Sequence, residues 1–254
     1  MRKSWSEKLK SFVRPLLYKM TTGAQEPHFN CPICGYRGPF KSKVVTQPFL
    51  MVREHSKCPR CVSTERHRMM YLSLSKLFLT YDPEGKSILH VAPEGCLESF
   101  LKGKFKEYLS MDLFRKDVDV TEDLQKLSFE GSSFDLVLES RVLISPPDIN
   151  ACLSEIHRVL RPGGLFVAAE LYAIKHTKEY ASLEGDRHRE LGVDMFGRYR
   201  QFFRHVEIIY SSEFPEKYQT NNLTKLGGEV YDQYPPEVRL KNQGIKDVVV
   251  LCYK

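Results

Sequence analysis

The sequence has no run approaching the ~18 consecutive apolar residues that a membrane-spanning helix requires, and it has no low-complexity tract. The first absence argues against a helix that crosses a bilayer. The second, with 42% hydrophobic residues, argues against wholesale disorder. Acidic residues are scarce at one end only. Residues 1–80 hold 15 Lys or Arg but 4 Asp or Glu, leaving 23 against 28 for the remainder, so the formal charge of +6 combines a basic first third with a mildly acidic rest. An even set of cysteines is also missing: seven in 254 residues do not make a disulfide framework. At ~150 residues per domain, this length suits one enzyme-sized unit plus a small appendage.

Four of the seven cysteines form two Cys-x-x-Cys pairs, Cys31/Cys34 and Cys58/Cys61. Each pair sets two thiolates on a tight turn, and Gly35 gives the first turn the backbone freedom it needs. Together the turns predict a tetrahedral site suited to zinc, in a reducing compartment. Four thiolates leave no open coordination position, so the metal is expected to be structural. The pairs also resemble those of rubredoxin, where the metal is iron; the basic charge and the fusion to a larger unit argue for zinc. Cys96, Cys152 and Cys252 stand in apolar surroundings and are expected to pack as small hydrophobes.

Residues 2–19 place Trp5, Leu9, Phe12, Val13, Leu16 and Leu17 at helical spacing among six basic residues and one acid, Glu7. Such a helix either lies on an anionic membrane surface or packs on the protein. It lacks the apolar core and cleavage site of a secretory signal, although mitochondrial presequences share its Arg-rich, acid-poor character. The expected organisation is a basic helix and linker over 1–25, a small zinc-binding unit over 26–66, a connecting helix over 67–82 capped by Ser63, and a larger domain over 83–254. Strand character is expected through Val44 and Val45 and from Phe49 to Val52. In the larger domain, apolar strands (SILHVA, EYLSMD, FDLVLES, LFVAAE, DVVVLCY) alternate with amphipathic helices, which predicts a mostly parallel sheet covered on both faces.

ILHVAPEG, the strand ending in Asp112, DLQKLSFEGSSFDLVLESRVL and HRVLRPGGLFVAAE together resemble the class I S-adenosylmethionine-dependent methyltransferases. With CPICG, CPRC and STERHR upstream, the chain is similar to a bacterial subgroup in which a zinc ribbon precedes that fold. The resemblance covers roughly residues 30–210 and is most specific from Leu124 to Gly164. It implies an α/β, Rossmann-like seven-stranded methyltransferase sheet preceded by a small zinc ribbon.

The resemblance also implies a cofactor site. Asp112, with Leu113 beside it, would accept the ribose hydroxyls; Asp123 would face the adenine amino group, with the backbone of Leu124 at the ring edge; Glu94, in the turn begun by Ala92, would meet the methionine ammonium. Glu139 belongs to the same edge. Asp135 is expected to fasten a turn instead. The family's glycine-rich turn is here Ala92-Pro93-Glu94-Gly95-Cys96, its acidic strand residue is His90, and a His-Val-Leu-Glu-His stretch is replaced by Arg141 to Ser145. Only ten residues separate Asp112 from Asp123, too few for a crossover helix, so the third strand should be rudimentary.

Arg189 and His188, in a stretch read as a charged helix start, are the candidates to bind an anionic acceptor or assist proton transfer. His176 and Glu139 are further candidates by position. The function expected is methyl transfer to a small molecule or saccharide, in the cytoplasm with membrane association, rather than to nucleic acid. The alternative is a non-catalytic zinc-ribbon protein that binds RNA or an acidic partner and retains the cofactor.

Overall fold

The computed structural model describes residues 13–20, 22, 26–45, 51–226, 234–240 and 244–254. Helix α1 (13–20) is the described end of the basic N-terminal segment; Trp5, Leu9 and Phe12 lie outside the described residues, as do Phe49 and Leu50. A cysteine lobe follows. The hairpin of β1 (Phe29–Asn30) and β2 (Arg37–Gly38) encloses the first cysteine pair, and β3 (Lys41–Val45) pairs antiparallel with β4 (Met51–Lys57), which leads into the second. Helix α2 (Glu65–Leu77) is capped by Thr64 rather than Ser63, and buries Met69, Met70, Leu74 and Leu77 on one face.

The alternation expected beyond residue 83 is present. It runs β5 (Ser87–Val91), α3 (Gly95–Lys102), β6 (Glu107–Asp112), β7 (Val120–Thr121), β8 (Phe134–Ser140), α4 (Ile149–Val159) and β9 (Leu160–Glu170). An excursion then builds a separate three-stranded sheet from β10 (Tyr172–Ile174), β11 (Lys178–Glu184) and β12 (Arg187–Gly192). The chain returns through α5 (Met195–Phe202) to β13 (His205–Tyr210). It continues through the short β14 (Thr224–Leu226), β15 (Arg239–Leu240) and β16 (Gly244–Ile245), and ends on β17 (Val248–Tyr253).

The main sheet has the order β7-β6-β5-β8-β9-β17-β13. Strands β7 to β9 are parallel, and β17 runs antiparallel to both β9 and β13. From β5 the chain first builds outward through β6 and β7, then returns to place β8 on the other side. The carboxyl ends of β5 and β8 therefore flank a topological switch point, where open α/β sheets bind ligands. Alternation along the strands fixes the two core faces. Ile88, Leu136, Leu138, Val167 and Leu251 face the α2 and α3 layer, while Leu89, Val137, Phe166, Val250 and Cys252 face α4 and α5. Cys152 and Cys252 are buried as expected, and Cys96 packs against the α2 and α3 layer.

No helix joins β6 to β7. Side-chain hydrogen bonds hold the seven-residue crossover: Asp112 Oδ1 accepts the backbone N–H of Phe114 and Arg115 (2.8 and 3.0 Å), and Asp119 Oδ2 accepts the N–H of Ser110 (2.8 Å). The cysteine lobe is not an independent bead either. β14 adds to the edge of β4, and the fully buried Arg68 of α2 donates to the carbonyls of Ser56, Ser63, Tyr218 and Gln219 at 2.9 to 3.0 Å while lying over Phe40. Segments 53–68 and 218–226, distant in sequence, thus share one sheet and one buried cation.

Candidate cofactor site and cysteine centre

At the switch point the absent glycine-rich turn is replaced by strain. Ala92, at the end of β5, takes a left-handed φ of 49°, and Arg141, at the end of β8, takes 62°. Such angles are uncommon for residues with a Cβ and gather at functional sites. The Ala92 N–H donates to the Met111 carbonyl (2.7 Å), and Arg115 donates to the Pro93 carbonyl (2.8 Å), which ties the turn after β5 to the loop after β6.

Glu94 follows that turn as the N-cap of α3, and its side chain is buried. Its Oε2 lies 3.0 Å from His90 Nε2, and His90 Nδ1 lies 2.8 Å from the Tyr108 hydroxyl. Burial would raise the Glu94 carboxyl, but the hydrogen bond and charge of His90 outweigh it and hold the group below its ordinary value. The other oxygen, Oε1, has no hydrogen-bond partner, and His67 Nε2 stands 4.0 Å from it. A buried, ionised carboxylate with one free oxygen fits an ammonium ligand. His90, a departure from the family's acidic residue, therefore positions Glu94.

Asp112 ends β6 one strand away, half-buried, with one oxygen engaged in its own loop. Leu113 and Phe114 beside it are exposed, Phe114 by 82%, and offer an apolar wall to a flat ring. Asp123 Oδ1 accepts both the backbone N–H and the side-chain amide of Gln125, whose own oxygen accepts the N–H of Asp148, while Leu124 is buried. Asp135 sits at the opposite end of the sheet. Its Oδ2 accepts from Ser87 and from Arg161, consistent with the fastening role expected of it.

Glu139 and Glu170 close the adjacent strands β8 and β9, both fully buried. Each accepts one N–H from the loop that follows β8, Val142 at 3.0 Å and Leu143 at 2.8 Å. Burial raises both carboxyls, and the charge of Glu170 raises Glu139 further. Their remaining oxygens, with Ser140 Oγ, Glu94 Oε1 and Asp247 Oδ2, are buried atoms without hydrogen-bond partners gathered at this edge.

The roles expected downstream need correction. Residues 187–192 form strand β12, not a helix start. Arg189 is buried, its guanidinium donating to the carbonyls of Leu143, Pro146 and Pro147 and to Glu179 at 2.6 to 2.8 Å. Those bonds shape the loop after β8 and occupy four of the five N–H donors of Arg189. His188 is half-buried beside it, with its backbone N–H on Ile144 (2.8 Å), and His176 is exposed. Arg141, read as a mere loss of family groups, pairs with Asp247 at 2.9 Å across 106 residues.

The four cysteine sulfurs lie within 4.8 Å of one another, with Cys31 to Cys61 at 3.5 Å and Cys34 to Cys58 at 3.7 Å. A tetrahedral ion with metal–sulfur bonds of ~2.3 Å needs edges of ~3.8 Å, so the set fits one. Each turn is closed by a backbone hydrogen bond, Gly35 N to Cys31 O and Val62 N to Cys58 O, and each holds a left-handed residue, Gly35 (φ 69°) and Val62 (φ 58°).

Residues 101–168 match the family model described as a methyltransferase domain. The matched stretch runs from the end of α3 into β9 and contains Asp112, Asp123 and Glu139. A reducing polyketide synthase of Preussia isomera is 38% identical over 87 residues, which are 33% of this chain and 4% of that protein. A ubiquinone/menaquinone biosynthesis C-methyltransferase of Rickettsia felis is 31% identical over 80 residues, 32% of each chain. The chain thus spans less than a third of these curated relatives' length. A crystal structure of an S-adenosylmethionine-dependent methyltransferase from Archaeoglobus fulgidus, 15% identical, superimposes with a TM-score of 0.50 over 76% of this chain and 95% of that one. The main sheet and its helices share the fold of that methyltransferase.

Proposed function

We propose that this chain is an S-adenosylmethionine-dependent methyltransferase with a structural zinc ribbon, acting on a small molecule or saccharide rather than nucleic acid. The observation that carries the reading is the switch-point edge. There a strained Ala92 turn, a buried Glu94 with a free oxygen and a strand-ending Asp112 stand side by side on a seven-stranded methyltransferase sheet. When bound, the cofactor supplies an electrophilic methyl group on sulfur. Glu94, held by His90, would receive its ammonium; Asp112 would receive its ribose hydroxyls; Leu113 and Phe114 would wall the base, with Asp123 and Leu124 beyond. Transfer by displacement asks the protein chiefly for alignment and dryness. The loop after β8, pinned by Arg189, would help to supply the alignment. His188, half-buried above that loop, is the proposed proton acceptor for an acceptor hydroxyl.

The four cysteines would hold zinc, whose contribution is to fix the lobe against α2 and so to place His67 beside Glu94. Attachment of α1 to an anionic membrane surface belongs to the same proposal: Val13, Leu16, Leu17 and Met20 are exposed on a basic helix. Among the described residues no helix is long and apolar enough to cross a membrane. Radiolabelled methyl transfer from S-adenosylmethionine by the full chain into a fractionated cell extract tests the function. Label in the small-molecule or saccharide fraction is expected. Label in no fraction would contradict the enzyme reading, and label in nucleic acid would contradict the acceptor class.

A further inference from the structure

Two different parts of the molecule hold α2. Its later turns pack on α3 through apolar groups: the Tyr71 and Phe100 rings lie 4.7 Å apart, and Met70, Leu74 and Leu77 share a cluster with Leu97 and Leu101. Its first turn, Glu65 to His67 after the N-cap Thr64, has no apolar side chain to pack. The cysteine lobe supplies the anchors there instead. The Ser56 hydroxyl donates to the buried Glu65 (2.6 Å), which Arg53 also contacts, and Arg68 donates to the Ser56 and Ser63 carbonyls at 3.0 Å.

Those anchors lead directly into the second cysteine turn. The Ser63 carbonyl accepts the Cys58 N–H (2.9 Å), and the Ser63 hydroxyl lies 3.1 Å from Cys61 Sγ and 3.5 Å from Cys31 Sγ. Only Val62 and Ser63 separate Cys61 from the N-cap of α2. The geometry of the four sulfurs therefore sets where the helix begins. Thiolates this close repel one another unless a cation joins them, so the placement of the first turn depends on the metal.

His67 carries that placement to the cofactor edge. Its Nδ1 accepts the Thr64 N–H (3.2 Å), which makes the ring part of the helix cap, and Arg66 Nε lies 3.2 Å from its Nε2. The same Nε2 stands 4.0 Å from Glu94 Oε1, with the His67 side chain 13% exposed and that of Glu94 9%. The ring thus shields one side of the Glu94 oxygen that has no hydrogen-bond partner, while His90 holds the other oxygen at 3.0 Å. Burial lowers His67 to about 4, so at neutral pH the ring is uncharged and does not compete with a ligand ammonium for the carboxylate. An ammonium–carboxylate contact kept from water is stronger than an exposed one.

We propose that His67 is a positioning residue of the cofactor site, and that through it the metal of the cysteine centre and the cofactor bind cooperatively. The proposal rests on the S-adenosylmethionine reading of this edge and adds a regulatory input to it. Loss of the metal frees the first turn of α2, withdraws His67 from Glu94 and lowers cofactor affinity. By linkage, bound cofactor tightens the metal by the same factor.

The test uses the full chain, zinc, and S-adenosylhomocysteine, the demethylated cofactor. Zinc affinity is measured by competition with a chromogenic chelator, with and without saturating S-adenosylhomocysteine, whose own affinity is measured by calorimetry. Saturating S-adenosylhomocysteine should tighten zinc about fivefold or more. His67→Gln separates the two roles of the ring, because Gln at this position completes the same cap but brings no ring to Glu94. That variant should keep its zinc and its melting temperature, bind S-adenosylhomocysteine more weakly by the factor found for zinc, and lose most of the linkage. Zinc affinity that ignores S-adenosylhomocysteine, or an unchanged linkage in His67→Gln, would overturn the proposal. A His67→Gln chain that loses zinc or melts well below the parent would assign the ring to the cap alone and overturn it as well. Failure of S-adenosylhomocysteine to bind the intact chain would instead overturn the cofactor reading itself, and is seen separately in the calorimetry.

Discussion

Burial disfavours the ionised form of both Glu139 and Glu170, and Glu139, which also faces the charge of Glu170, is raised well above the ordinary carboxyl value. The folded chain therefore keeps these carboxyls protonated to a higher pH than the unfolded chain does. Stability from this pair is present below the ordinary carboxyl value of 4.5 and is lost as pH rises through the raised folded value. Glu139→Gln, whose amide oxygen can still accept from Val142, should flatten the stability profile above the ordinary carboxyl value of 4.5 and melt higher than the parent at the alkaline end. Parallel profiles would show that the fold does not raise the Glu139 carboxyl. Asp135 acts on stability by a different route. Its Oδ2 accepts from the Ser87 N–H, the Ser87 hydroxyl and Arg161. Asp135→Ala should cost roughly 1.5 to 3 kcal/mol in denaturant unfolding while cofactor affinity stays within about twofold, and a large affinity loss in a folded variant would contradict its remote placement.

Among the elements, those with a clear apolar period were legible. SILHVA, EYLSMD, FDLVLES and the Ile149, Cys152, Leu153, Ile156 face of α4 formed where expected, and the spacing of Asp112 and Asp123 foretold the two-residue β7. Residues 187–192 were not legible, because charges at Arg187, His188, Arg189 and Glu190 hide any period; β12 exists because β10 and β11 pair with it. The cysteine turns were legible to the residue, and they carry the next prediction. One zinc per chain is expected by elemental analysis, and Cys58→Ser should lose the metal and most of the soluble protein; iron, or no metal in intact protein, would contradict this. For α1, deletion of residues 1–20 should weaken binding to anionic vesicles, measured by co-sedimentation. Equal binding by the full and truncated chains would favour a helix that packs on the protein.

At the scale of the whole molecule, long-range contacts tie the cysteine lobe and α2 to the C-terminal part of the chain. Arg68 reaches carbonyls 150 residues away, β14 completes the sheet of β4, and Arg141 finds Asp247 across the sheet. No local pattern encodes such contacts. The same distances explain which site residues could be named in advance. Glu94, Asp112 and Asp123 follow strand ends in a motif, whereas His67 enters the edge only because the lobe docks there. His90 was visible as a departure, but its purpose becomes plain only when Glu94 is seen 3.0 Å away.

The central claim is that this edge binds S-adenosylmethionine, and calorimetric titration of the cofactor into the full chain tests it most directly. The account predicts one site per chain, and a loss of about tenfold to hundredfold in affinity for Asp112→Ala, because two ribose hydroxyls would lose a charged acceptor. Absence of binding to the intact, folded chain would contradict it.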